Sequence, residues 1–93
     1  MKEKKEPEMR KILRDAESII CGDRQAQYGS PEENWGLTAR WWSDYLGFKV
    51  TPEQATVCMT LAKIAREKFK HKRDNLEDGI GYLAISSQLQ GGK

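Results

Sequence analysis

Thr51-Pro52-Glu53-Gln54-Ala55-Thr56-Val57-Cys58-Met59-Thr60-Leu61-Ala62-Lys63-Ile64-Ala65-Arg66-Glu67-Lys68-Phe69 is the stretch that decides the fold. It opens on a helix start. Thr51 offers a hydroxyl to the first free backbone N–H groups, Pro52 fits the first helical position, and Gln54 completes a capping box. Apolar residues then fall on two faces, Ala55, Met59, Ala62 and Phe69 on one and Val57, Leu61 and Ile64 on the other. A helix so widely apolar is expected at the centre of a bundle. Lys63 and Arg66, one turn apart, therefore put two cations on the most buried helix, where a charge is costly unless it is paired.

Upstream, Ser30-Pro31-Glu32-Glu33 repeats the start signal, and Trp35, Ala39, Trp42, Tyr45 and Leu46 form the expected buried stripe, ended by Gly47. Trp41 lies off that stripe, suited to a neighbouring subunit or a ligand. Before it, Met9, Ile12, Leu13, Ala16, Ile19 and Ile20 recur at helical spacing, and Gly22 is expected to stop that helix. Downstream, Asp74-Asn75-Leu76-Glu77 carries another capping-box pattern, with Asp74 as the expected cap. The last helix runs through Leu76, Ile80, Leu83 and Ser87 to Gly91-Gly92. No segment alternates with period two. The expected fold is all-α, a compact four-helix domain over residues 8–93 behind a charged tail at residues 1–7.

Ninety-three residues make one domain with a small core, which favours burying more surface by self-association, so a homo-oligomer is expected. The apolar runs are too short to span a membrane, and the first residues lack the apolar segment of a signal peptide. Cys21 and Cys58 have no metal-ligand spacing and are expected as buried, reduced thiols, which implies a cytoplasmic setting. A formal net charge of +2 excludes a general nucleic-acid binder. The basic run Arg66-Glu67-Lys68-Phe69-Lys70-His71-Lys72-Arg73 reads as a solvated helix end completing the dipole, and its histidine has no assigned role.

Two constellations carry chemistry. Gly22-Asp23-Arg24-Gln25-Ala26-Gln27-Tyr28-Gly29 reads as a connector richer than a connector needs. Its Asp23, Arg24, Gln27 and Tyr28, leading to Asn34, suit a phosphorylated, aromatic ligand. The second joins Lys63 and Arg66 to Asp78 and Tyr82 on the last helix, with Arg66 expected opposite Glu77 and Asp78. In this set Arg24, Lys63 and Arg66 would take phosphates, and Tyr28, Tyr82 or Trp41 a base. Gly79 and Gly81 weaken their helix and imply a close approach there. Asp74, Glu77 and Asp78 share a face, which suits either magnesium ligation or a cap with a salt bridge. No serine or cysteine has a recognisable base, and no glycine loop matches a phosphate-binding signature.

Asp-Arg-x-x-x-Tyr-Gly at residues 23–29, Pro-Glu-x-Asn-Trp at 31–35, Leu-x-Lys-Ile-Ala-Arg at 61–66 and Asp-Asn-x-x-Asp-x-x-Gly-Tyr at 74–82 resemble a family of small phage and prophage proteins of unassigned function. More distantly, Asp74, Glu77 and Asp78 with Gly81-Tyr82-Leu83 are similar to half of the acidic pattern of MazG-type all-α nucleotide pyrophosphohydrolases, which act with magnesium. The other acidic half is missing. Three classes follow. The first, preferred, is a phage-encoded, non-catalytic sponge in the bacterial host cytoplasm that sequesters a phosphorylated or cyclic nucleotide, such as a host immune signal, and needs no cofactor. The second is a magnesium-dependent pyrophosphohydrolase with Asp74, Glu77 and Asp78 as catalytic metal ligands. The third is a small oligomeric interaction protein.

Overall fold

The computed structural model describes residues 5–92, the side chain of Asp23 excepted. Its elements in order are α1 (Glu8–Ser18), a π-helical turn (Ile19–Asp23), α2 (Arg24–Tyr28), α3 (Pro31–Leu46), α4 (Pro52–Phe69) and α5 (Arg73–Leu89). α1, the π-turn and α2 follow without a break, so four helical rods result, and no strand occurs among the described residues. The all-α expectation holds.

The first rod corrects the reading of its polar run. Gly22 does not stop the helix, and the segment from Arg24 to Tyr28 is helical rather than a connector. Arg24-Gln25-Ala26-Gln27 are good helix formers, and a single glycine costs a helix only about 1 kcal/mol against alanine. Termination falls instead at Gly29, whose φ of 83° is left-handed and whose N–H donates to the Gln25 carbonyl at 3.0 Å.

The other starts follow local chemistry. The Ser30 hydroxyl accepts from the Glu33 N–H at 3.2 Å. Thr51 and Gln54 form a reciprocal box, with the Thr51 N–H donating to Oε1 at 3.0 Å and the Gln54 N–H to Oγ1 at 3.2 Å. α3 ends on Gly47 at φ 80°. α5 differs: Lys72 holds its cap position with no side-chain cap, and Asp74 lies inside the first turn.

α4 and α5 form a hairpin around the Lys70–Lys72 turn. The Glu67 carboxylate organises that turn by pairing with His71 and accepting from the Lys72 N–H at 3.0 Å and Asn75 Nδ2 at 3.2 Å. The bond to His71, then that from the Lys72 backbone, holds Glu67 below its ordinary pKa. Arg73 ties α1 to α5, reaching Glu8 at 2.9 Å, Asp15 at 2.8 Å and Glu77 at 2.5 Å.

The buried apolar residues are Ala16, Trp35, Ala39, Ala55 and Ile85, and the Trp35 ring meets Tyr82 edge-on at 5.8 Å. Three expectations fail here. Tyr45 and Leu46 leave the buried stripe of α3, at 90% and 48% exposure. On α4, Val57, Leu61, Ile64 and Phe69 are exposed, because α5 covers only the opposite face. Cys21 and Cys58 are free thiols at exposed rather than buried positions. No helix among the described residues is long and apolar enough to cross a membrane.

Candidate functional site

α4 and α5 place Lys63 on the face they share. It is 8% exposed, and its Nζ lies 2.7 Å from an Asp78 carboxylate oxygen and 3.6 Å from Asp74. The Asp78 bond raises the lysine above its ordinary pKa although burial works against it. Lys63 is therefore committed to an internal pair. Arg66, one turn on, is exposed and does not face Glu77 and Asp78 as expected. Lys63 reaches the acid first, and Glu77 is held by Arg73.

Arg66 instead lines a groove of about 550 Å³ where α4 hands over to α5, together with Lys70, Lys72, Phe69 and Asn75 and with the Lys63–Asp74 pair at its edge. Among the described residues, Arg66, Lys70 and Lys72 form no ion pair. The uncapped N-terminus of α5 is in this wall, and Phe69 stands beside it 91% exposed. Phosphate oxygens suit the free N–H groups and the three cations, and the ring offers a stacking face. The sequence does not single out Lys70, Lys72 and Phe69 as groove-lining residues, because the basic run reads as a solvated helix end when its turn is not foreseen.

The motif residues of the first rod gather elsewhere. Arg24, Glu77, Asp78, Gly81 and Tyr82 line a cavity of about 20 Å³ between the π-turn and α5, room for about one water. Arg24 Nε is buried there without a hydrogen-bond partner among the described residues, and its guanidinium lies 5.4 Å from the centre of the Tyr28 ring. Asn34 borders an adjoining recess with Arg24. Gly81 explains itself: a Cβ there would stand 3.1 Å from Ile20 Cγ2, whereas at Gly79 nothing lies within 4 Å. Gln27 and Tyr28 are exposed, Trp41 is 64% exposed on α3, and the Asp23 side chain lies outside the described residues. Asp78 joins the two regions, lining the Arg24 cavity while bonding Lys63.

Asp74, Glu77 and Asp78 bring one carboxylate oxygen each within 4.8 Å of one another. As arranged they do not fit magnesium. Lys63 sits 2.7 Å from Asp78 and Arg73 2.5 Å from Glu77, so two of three acids are already neutralised by cations that would repel the ion.

A family described as a domain of unknown function (DUF6378) matches residues 11–90, and the chain belongs to that family. Among curated proteins it is 40% identical over 82 residues to the Gene 55 protein of Mycobacterium phage L5, covering 85% of this chain and 52% of that protein. It is 38% identical over 79 residues to the Gene 55 protein of Mycobacterium phage D29, covering 84% and 52%. The chain thus spans about half the length of these relatives, and the resemblance to phage proteins of unassigned function holds. No solved structure matches.

Proposed function

Starting from membership of this phage family, we propose that the chain binds a phosphorylated nucleotide, linear or cyclic, and sequesters it without turning it over. The observation that carries this reading is the groove at the α4–α5 turn, where Arg66, Lys70 and Lys72 stand unpaired among the described residues beside Phe69 and an uncapped helix start. Its volume of about 550 Å³ lies in the range of small-molecule sites. With Asp74 turned to Lys63, the unpaired cations outnumber the acid in this hollow, and a phosphate relieves their repulsion while supplying acceptors for their N–H donors.

Hydrolysis is the second reading, and the convergence of the three α5 carboxylates is what favours it. Binding is preferred because Lys63 and Arg73 already answer two of those carboxylates. The deciding experiment incubates the chain with nucleotides and magnesium, then identifies bound and released species by mass spectrometry. A sequestering protein returns its nucleotide intact on denaturation. Release of pyrophosphate would establish the second reading in its place, and neither retained nucleotide nor released pyrophosphate would overturn both.

A further inference from the structure

We propose that the outward face of α4 is the contact for a second copy of this chain, which lies antiparallel across it with a two-fold axis beside Leu61. From Gln54 to Ala65 the only charged residue is Lys63, which turns inward to α5, so Val57, Cys58, Leu61 and Ile64 leave more than two turns of exposed helix without a charge. Their spacing is that of a helix seam. The face continues into a predominantly apolar groove of about 690 Å³ between α3 and α4, walled by Trp42, Leu46 and Phe48.

The surface of the chain as a whole is large enough to supply such a contact. The chain exposes 7293 Å², about 1,800 Å² more than the roughly 5,500 Å² expected of a folded monomer of this mass. A standard interface takes roughly 800 Å² from each partner. The interior is correspondingly small: among the described residues its buried apolar side chains are Ala16, Trp35, Ala39, Ala55 and Ile85.

Charge selects the orientation. Glu53 lies just before the apolar seam and Lys68 just after it. An antiparallel pair whose axis passes between the levels of Thr60 and Leu61 brings Val57 level with Ile64 of the partner subunit and Glu53 level with Lys68 of the partner subunit, at both ends. A parallel pair would set Glu53 and Lys68 against their own copies, which is repulsive. A two-fold contact of one face with itself also closes the assembly.

Sedimentation of the full chain at micromolar concentration is expected to give twice the 10.7 kDa of one chain. Leu61→Asp should return it to the monomer mass with the helical signal retained, since Leu61 is 58% exposed. Lys68→Glu should weaken association several-fold at low salt, and adding Glu53→Lys should restore it. With Cys21→Ser and Cys58→Ser in place, Leu61→Cys should form a disulfide-linked dimer under mild oxidation while Val57→Cys should not. A wild-type chain that sediments as a monomer would overturn the proposal. So would cross-linking through Val57→Cys as readily as through Leu61→Cys, which would indicate a parallel pair.

Discussion

Lys63 and Asp78 meet at 2.7 Å across the α4–α5 hairpin, with the lysine nine-tenths buried and the acid within reach of water at 28% side-chain exposure. This asymmetry decides which partner matters more. Asp78→Asn strands a buried ammonium beside the more distant Asp74, and should cost about 2–3 kcal/mol of stability in denaturant titrations. Lys63→Met keeps the packed stem and leaves an acid that water can reach, so its cost should be about 1 kcal/mol or less. Equal losses would mean that the pair is less buried than its geometry states.

The same pair has a pH signature. Lys63 is raised above its ordinary pKa in the folded chain, chiefly by the Asp78 bond, so its contribution is complete below the unfolded lysine value. It is lost as pH rises through the raised value, in the alkaline range above about 10.5. Wild type should therefore lose stability there faster than Lys63→Met. Parallel alkaline curves would remove Lys63 as the cause.

Two glycines on α5 should respond in opposite directions. Gly79→Ala adds a methyl that meets nothing within 4 Å and gains helix propensity, so it should stabilise by about 0.5–1 kcal/mol. Gly81→Ala presses a Cβ to 3.1 Å from Ile20 Cγ2 at the π-turn, and its melting temperature should fall. A rise for both would mean that the π-turn gives way without cost.

Trp35 is the large ring of the core, 5% exposed and packed against Tyr82. Trp35→Ala should cost roughly 3–5 kcal/mol. Trp41→Ala, at a position 64% exposed, should change the stability of one chain by under about 0.5 kcal/mol.

These pairs also show what the sequence made legible. The starts at Ser30 and Thr51 are written in residues that bond their own backbone, so reading them needs no tertiary knowledge. Gly22 and Gly29 look alike in sequence, and only the left-handed φ at Gly29 separates a tolerated glycine from a terminator. Periodicity found the apolar faces of α3 and α4 but carries nothing about which face has a neighbour, so Tyr45 and Leu61 were misplaced inside. Asp78 pairs with Lys63, one turn before the expected Arg66, since hairpin register depends on how the Glu67–Lys72–Asn75 turn closes. That turn also carries Lys70 and Lys72 into the groove.

The functional prediction turns on the difference between a committed cation and a free one. Arg66 is exposed and in no ion pair among the described residues, so Arg66→Ala leaves no buried acid behind and should barely move the melting temperature. If Arg66 holds a phosphate, the same change removes a charge-assisted bond and should weaken nucleotide retention roughly ten- to a hundred-fold, measured by equilibrium dialysis. Lys70→Ala and Lys72→Ala should act in the same direction, and Phe69→Ala should weaken retention of a nucleotide more than that of inorganic phosphate. Asp78→Asn should lower stability while weakening binding only modestly, and EDTA should leave binding unchanged. In a magnesium-dependent hydrolase the order reverses: Asp78→Asn and EDTA both abolish turnover, because one removes a ligand and the other strips the ion. A loss of stability in Arg66→Ala with retention intact would make Arg66 structural and remove the groove as the binding site.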